Sequence, residues 1–273
     1  MTRPVTVGLD GSPESRAAMH WAAGEALRRS VQLRLVHAGG HPYGDALVRD
    51  AVQELAERHP DLPVTTDVAD APPAELLVAE AGRSDLLALG SQRLSGLGGF
   101  LLGSVGQTTL ARAEGPVVVV RTGQEEENGD DRRPVVLGFS LRKGADEVIA
   151  FGLEDARRRG AQLRVVHAWS YPPTYGYVPA AMDPTCGAEI CAAERHAVQA
   201  ALAPWREKAP GVEITEEVAA GNAAQPLVDA AAGASLLVVG RCRNRPGGVG
   251  PYLGPVAHAV LHHAACPVAV VPH

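Results

Sequence analysis

Val31-Gln-Leu-Arg-Leu-Val-His37-Ala38 recurs in this chain as Ala161-Gln-Leu-Arg-Val-Val-His167-Ala168, an offset of 130 residues. Gly8 and Gly138 fall on one another at the same offset. Asp85-Leu-Leu-Ala-Leu-Gly90 then returns as Ser235-Leu-Leu-Val-Val-Gly240 at 150, and Pro116-Val-Val-Val-Val120 as Pro267-Val-Ala-Val-Val271 at 151. Self-similarity on this scale means two copies of one folding unit. The rise in offset from 130 to 150 places an insertion of 20 residues in the second copy. It begins Trp169-Ser-Tyr-Pro-Pro-Thr-Tyr-Gly-Tyr-Val-Pro179 and reads either as a proline-stiffened surface loop or as a lid or docking surface. Between the copies, Thr122-Gly-Gln-Glu-Glu-Glu-Asn-Gly-Asp-Asp-Arg-Arg133 is polar and charged, as linkers are. The organisation expected is a first domain over 1–122, a linker over 123–133 and a second domain over 134–273.

Within each copy, short β-branched runs alternate with helical spacing. In the first copy, strands are predicted at Val5–Asp10, Val31–Ala38, Val64–Ala69, Asp85–Gly90 and Val117–Arg121. Helices are predicted from Ser12-Pro13, where serine caps and proline takes the first helical position, and over Ala46–Arg58, Ala74–Ala81 and Ser104–Ala113. Five strands with four intervening helices imply a parallel sheet covered on both faces. Ligands of such sheets bind beyond the carboxyl ends of the strands, here just after Val7, Val36 and Leu89.

Composition narrows the function. A 273-residue chain with 46% hydrophobic and 21% charged residues suits two modest domains, each with its own core. The net charge of −6, with no basic stripe, argues against nucleic acid or an anionic membrane as partner. No signal peptide and no membrane-length apolar run is legible, so a cytoplasmic, soluble protein is expected. Four cysteines are too few for a disulfide scaffold, and Cys186 and Cys191 have the wrong spacing for a metal knuckle.

Chemistry concentrates in two places. One is Gly90-Ser-Gln-Arg-Leu-Ser-Gly-Leu-Gly-Gly-Phe-Leu-Leu-Gly103-Ser104-Val105, a glycine-rich loop running from a buried strand to a helix start. Freed backbone N–H groups and the positive end of a helix suit a phosphate chain. The loop is not a Walker A motif: the first copy has no lysine, the two lysines being Lys143 and Lys208. A loop that merely packs Leu94, Leu97, Phe100 and Leu101 is the competing reading. The other place is Asp10, in Gly8-Leu9-Asp10-Gly11-Ser12. Its carboxylate can accept from a ribose hydroxyl or simply bond its own turn. His37 and His167 sit inside strands and read as satisfied core residues, and His258, His262 and His263 as a helix-surface cluster.

Taken together, the strand-end aspartate before Gly-Ser, the glycine loop ending in Gly-Ser and the tandem layout resemble the universal stress protein family over nearly the whole chain. The resemblance implies two tandem Rossmann-like domains of the adenine nucleotide alpha hydrolase-like type. Each would hold a five-stranded parallel sheet of order 3-2-1-4-5 with helices on both faces. It also implies dimerisation, ATP with Mg²⁺ between the first and fourth strands, and a stress sensor or regulator in place of a catalyst. A slow ATPase or adenylyl-handling enzyme and a ligand-free interaction module are the alternatives. The nucleotide site so implied comprises Gly8, Asp10, Ala38, Leu89, Gly90, Arg93, Gly103, Ser104 and Val105, with no metal-ligand set of its own. Asp10 and the backbone near Ala38 would meet adenine and ribose, Leu89 and Gly90 would lie beside them, and Gly103 to Val105 would cradle the phosphates. Arg93 stands where the family motif has its second glycine; it cannot copy a left-handed glycine cheaply but offers a guanidinium to phosphate. In the second copy Ser140 replaces Asp10, Pro255 replaces Ser104 and the loop Gly240–Gly254 is one residue longer, so that site is expected to be degenerate.

Overall fold

The structure, a computed structural model, describes residues 2–93, 100–124, 132–141, 145–169, 184–243 and 252–273. The first copy runs β1 (Val5–Gly8), α1 (Pro13–Arg29), β2 (Leu33–Ala38), α2 (Tyr43–Arg58), β3 (Val64–Ala69), α3 (Pro73–Arg83), β4 (Leu86–Arg93), β5 (Phe100–Leu101), α4 (Ser104–Arg112) and β6 (Val117–Arg121). The second runs β7 (Val135–Phe139), α5 (Asp146–Arg159), β8 (Leu163–Trp169), α6 (Pro184–Lys208), β9 (Ile214–Ala220), α7 (Ala224–Ala231), β10 (Leu236–Arg241), α8 (Pro255–His263) and β11 (Val268–Pro272).

Strands order as β3-β2-β1-β4-β6 in the first copy and β9-β8-β7-β10-β11 in the second, all parallel within each copy. The two sheets join edge to edge. Val268, Ala269 and Val270 of β11 pair antiparallel with Val119, Val118 and Val117 of β6, giving one continuous sheet. Apolar side chains from both copies fill one layer under α1, α2, α5 and α6 and another under α3, α4, α7 and α8. The valine runs of β6 and β11 are buried over every residue, as strands covered on both faces must be.

The sequence shows directly why the helices begin and end where they do. Ser12 caps α1 by accepting from the Ser15 backbone N–H (3.1 Å), and Pro13 follows in the first turn. The helix ends at Ser30 in the left-handed region (φ 53°), and α5 ends at the matching Gly160 (φ 60°). Two departures from the sequence reading concern the site. The fourth strand does not stop at Gly90 but continues to Arg93 and pairs antiparallel with β5, Gln92 opposite Leu101 and Arg93 opposite Phe100. The glycine-rich stretch therefore starts as a hairpin, because no proline interrupts Ser91-Gln92-Arg93 and extended backbone continues. The insertion ends in α6, whose 25 residues exceed the 16 of α2; residues 170–183 lie outside the described residues.

Candidate functional site

Beyond the carboxyl ends of β1, β2 and β4, a cavity of about 310 Å³ opens in the first copy, a size at the small end for ligand pockets. Its apolar wall is formed by Val36, Leu77, Leu89 and Leu102. Its polar rim carries Asp10, Ser12, Glu14 and Ser15 from the β1–α1 turn, and the start of α4 closes the far side. Seven of the nine residues expected at a ligand site, Gly8, Asp10, Ala38, Leu89, Gly90, Gly103 and Val105, line this cavity. Ser104 is the first residue of α4, exposed and next to it. The backbone of Arg93 lies in the hairpin, and its side chain is outside the described residues.

Asp10 is held by its own turn. The Ser12 hydroxyl (2.6 Å) and backbone N–H (2.9 Å) both donate to its Oδ1, while its N–H donates to Ser15 Oγ (3.4 Å). Partial burial pushes its carboxyl up, but the Ser12 and Ser15 bonds outweigh this and its pKa lies below the ordinary value. The turn reading of Asp10 is therefore physically present. His37 secures the same corner. Its Nδ1–H donates to the Leu9 carbonyl (2.8 Å), tying the exit of β1 to that of β2. His167 repeats the bond on the Phe139 carbonyl (3.1 Å) in the second copy, so both histidines are satisfied core residues.

The glycines of the site differ in why they are glycine. A Cβ on Gly90 would lie 2.4 Å from the Glu14 carbonyl carbon and 2.6 Å from the Ser15 nitrogen; β4 and the first turn of α1 touch backbone to backbone there. A Cβ on Gly103 would meet nothing within 4 Å, and Gly103 has ordinary extended torsions (φ −60°, ψ 166°). Gly103 is the N-cap of α4 with no side-chain cap. The N–H groups of Ser104, Val105 and Gly106 precede the first helical bond, Gln107 N–H to Gly103 O (2.9 Å). Three unpaired donors and the positive helix end thus face the cavity rim.

Sequence reading missed Leu77, Pro73 and Leu102, which complete the wall. Leu77 sits at helical spacing on α3 and signals only that α3 packs on the sheet. That it packs over Gly8, where a Cβ would stand 2.8 Å from Leu77 Cδ2, follows from strand order.

The second copy departs at the matching place. Gly254 caps α8 with the torsions of Gly103 (φ −61°, ψ 158°), but Pro255 removes the first N–H donor. Helix α5 starts at Asp146, which corresponds to Arg16; residues 142–144, which match Ser12 to Glu14, lie outside the described residues. The imidazole of His273 lies 2.8 Å from where a Gly240 Cβ would be.

The sequence profile of the universal stress protein family matches residues 1–45, 42–121 and 131–272. The chain belongs to the universal stress protein family. A universal stress protein of Mycobacterium tuberculosis strain H37Rv is 32% identical over 97% of this chain and 96% of its own length. One from Mycolicibacterium smegmatis is 31% identical over 98% and 96%. Among solved structures, a universal stress protein from Archaeoglobus fulgidus superposes with a TM-score of 0.67 over 98% of both chains at 17% identity. A Pseudomonas aeruginosa protein of unknown function also reaches 0.67, over 99% of this chain and 92% of its own, at 18% identity. The tandem architecture is thus shared along the full length of these universal stress proteins. Among the described residues, no helix is long and apolar enough to cross a membrane.

Proposed function

We propose that the first repeat of this universal stress protein binds an adenine nucleotide, ATP with Mg²⁺, and that occupancy of that site is a signal read by other molecules. The observation that carries the reading is Gly103. Neither torsion nor packing requires glycine there, and its open side faces a cavity beside unpaired helix-start donors. Close approach of a ligand to the backbone is the physical use left for it. The apolar wall of Val36, Leu77 and Leu89 suits a base, the Asp10 carboxylate a ribose hydroxyl, and Gly103 to Val105 the phosphates.

The same lining argues for binding without fast turnover. The described residues around the cavity include no lysine, arginine or histidine, so they provide neither a cation for developing phosphoryl charge nor an imidazole base. Denaturing the purified chain and analysing what it releases tests the reading. Adenine nucleotide in near-stoichiometric amount, or tight calorimetric binding of ATP, supports it; neither of these appearing at millimolar ATP removes it.

A further inference from the structure

Two buried arginines cross the seam between the repeats in opposite directions. Arg121, the last residue of β6, donates from Nη2 to the Leu261 carbonyl (2.6 Å) and from Nη1 to that of Ala264, at the C-terminal end of α8. Arg241, the last residue of β10, donates from Nη2 to the carbonyl of Ala113, the C-cap of α4. Ala113 and Ala264 match at the repeat offset of 151, yet the arginines come from non-equivalent strands. Ser91 stands opposite Arg121 in the first sheet, and Pro272 opposite Arg241 in the second. Each repeat therefore supplies one guanidinium to the last helix of the other.

The consequence is unequal, because only α4 opens onto the cavity. From the structure we infer that Arg241, contributed by the degenerate second repeat, is a positioning residue for the phosphate end of the first repeat's site. This rests on the nucleotide reading above. Helix α4 has nine residues, so it is about 13 Å long, and it has no side-chain cap at Gly103. Arg241 pins one end and Gly103 is the other. The guanidinium also neutralises the negative pole at Ala113, which leaves the positive pole at Gly103 to act on an anion. The backbone of β5, leading into Leu102-Gly103, runs beside α8, so the second repeat touches the same segment from a second direction.

The test compares the full-length wild type with Arg241→Met, Arg241→Lys and Arg121→Met. Each is titrated by calorimetry with ATP and with adenosine, and unfolded thermally without ligand. Arg241→Met should weaken ATP about tenfold while adenosine changes less than about twofold, because only the phosphate end loses its anchor. Arg241→Lys should recover most of the ATP affinity. Arg121→Met should lower Tm comparably and leave both affinities in place. Equal weakening of ATP by Arg241→Met and Arg121→Met, equal weakening of ATP and adenosine by Arg241→Met, or no change in ATP affinity overturns the inference. Should Arg241→Met fail to fold, Arg241→Gln against Arg121→Gln is read by the same criteria. A wild type that binds neither ligand removes the nucleotide reading and this inference together; a binding wild type with unaltered Arg241 variants removes this inference alone.

Discussion

Two glycines thirteen residues apart carry opposite meanings, and their substitution separates folding from binding. Gly90→Ala puts a methyl 2.4 Å from the Glu14 backbone, so α1 has to shift and Tm should fall markedly. The Cβ of Gly103→Val meets no protein atom within 4 Å, and the substitution should leave Tm within a few degrees. Gly103 lines the cavity, so a branched side chain there should crowd a ligand at the start of α4, and ATP affinity should drop on the order of a hundredfold. Gly254→Val, with the same backbone and a comparable opening, should change ATP binding little because Pro255 has already removed a donor there. ATP binding that survives Gly103→Val and is lost with Gly254→Val would move the site to the second repeat. Ser30 offers a stability test free of function. It holds φ 53° where Gly160 holds 60°, so Ser30→Gly should raise stability by about 1 kcal/mol in thermal or denaturant unfolding. The spacing of Gly90 and Gly103 was readable without coordinates, but the sequence pattern does not distinguish the two roles. Telling them apart requires knowing what lies on the missing Cβ side of each.

At the scale of elements, α1 and α5 meet across the seam through a buried ring of charge. Arg29 bonds Glu25 (2.7 Å) on its own helix and Asp155 (3.2 Å) on α5; Arg159 bonds Asp155 (2.6 Å) on its own helix and Glu25 (2.7 Å) on α1. Glu25 matches Asp155 and Arg29 matches Arg159 at the offset of 130, so one motif faces its own copy across a pseudo-twofold axis. Burial opposes the charge on Glu25, but Arg159, Arg29 and Arg28 hold its carboxyl well below the ordinary range. Burial pushes the Asp155 carboxyl up to about 6, with the Glu25 charge adding to the effect against Arg159 and Arg29. Glu25→Gln removes the buried carboxylate shared by Arg28, Arg29 and Arg159 and should cost about 3–5 kcal/mol; Asp155→Asn should cost much less. The sign with pH follows from linkage. Folded Asp155 keeps its proton up to about 6, against 3.8 when unfolded, so its contribution is full below 3.8 and is lost as pH rises through 6. The stability of the wild type relative to Asp155→Asn, read by denaturant unfolding, should therefore fall between about pH 4 and pH 7 and then level, by at most about 3 kcal/mol. A difference that grows with pH would make Asp155 the ionised partner. Both halves of this ring were present in the repeat as written, at Glu25-x3-Arg29 and Asp155-x3-Arg159. Their meeting was not legible, since alternation and spacing say nothing of which strand edge meets which. The pairing of Val117–Val119 with Val268–Val270 determines it.

For the molecule as a whole, the repeat in sequence was enough to imply two like sheets, and the substitutions Ser140 and Pro255 were enough to imply unlike sites. The structure adds that the copies share one sheet, two apolar layers and reciprocal arginine anchors, so the second repeat cannot be removed without exposing the first. The proposed nucleotide site in one half, with structural support from the other, implies a definite stoichiometry. Calorimetric titration of the full chain should return one adenine nucleotide per chain. Two equivalent sites would mean that Ser140 and Pro255 are tolerated and that the donors of α8 suffice without the first N–H. Phosphate release should remain negligible over the time of the titration, because the described lining offers no lysine, arginine or histidine to the γ-phosphoryl group. The first repeat does carry one cation in the loop itself, Arg93, so the decisive variant is Arg93→Ala. Steady release of phosphate at ordinary enzyme rates by the wild type, abolished in Arg93→Ala with ATP affinity retained, would turn the reading from a nucleotide-dependent regulator to a catalyst whose electrophile is Arg93. Loss of affinity alone in that variant would make Arg93 a phosphate contact and leave the regulator reading in place.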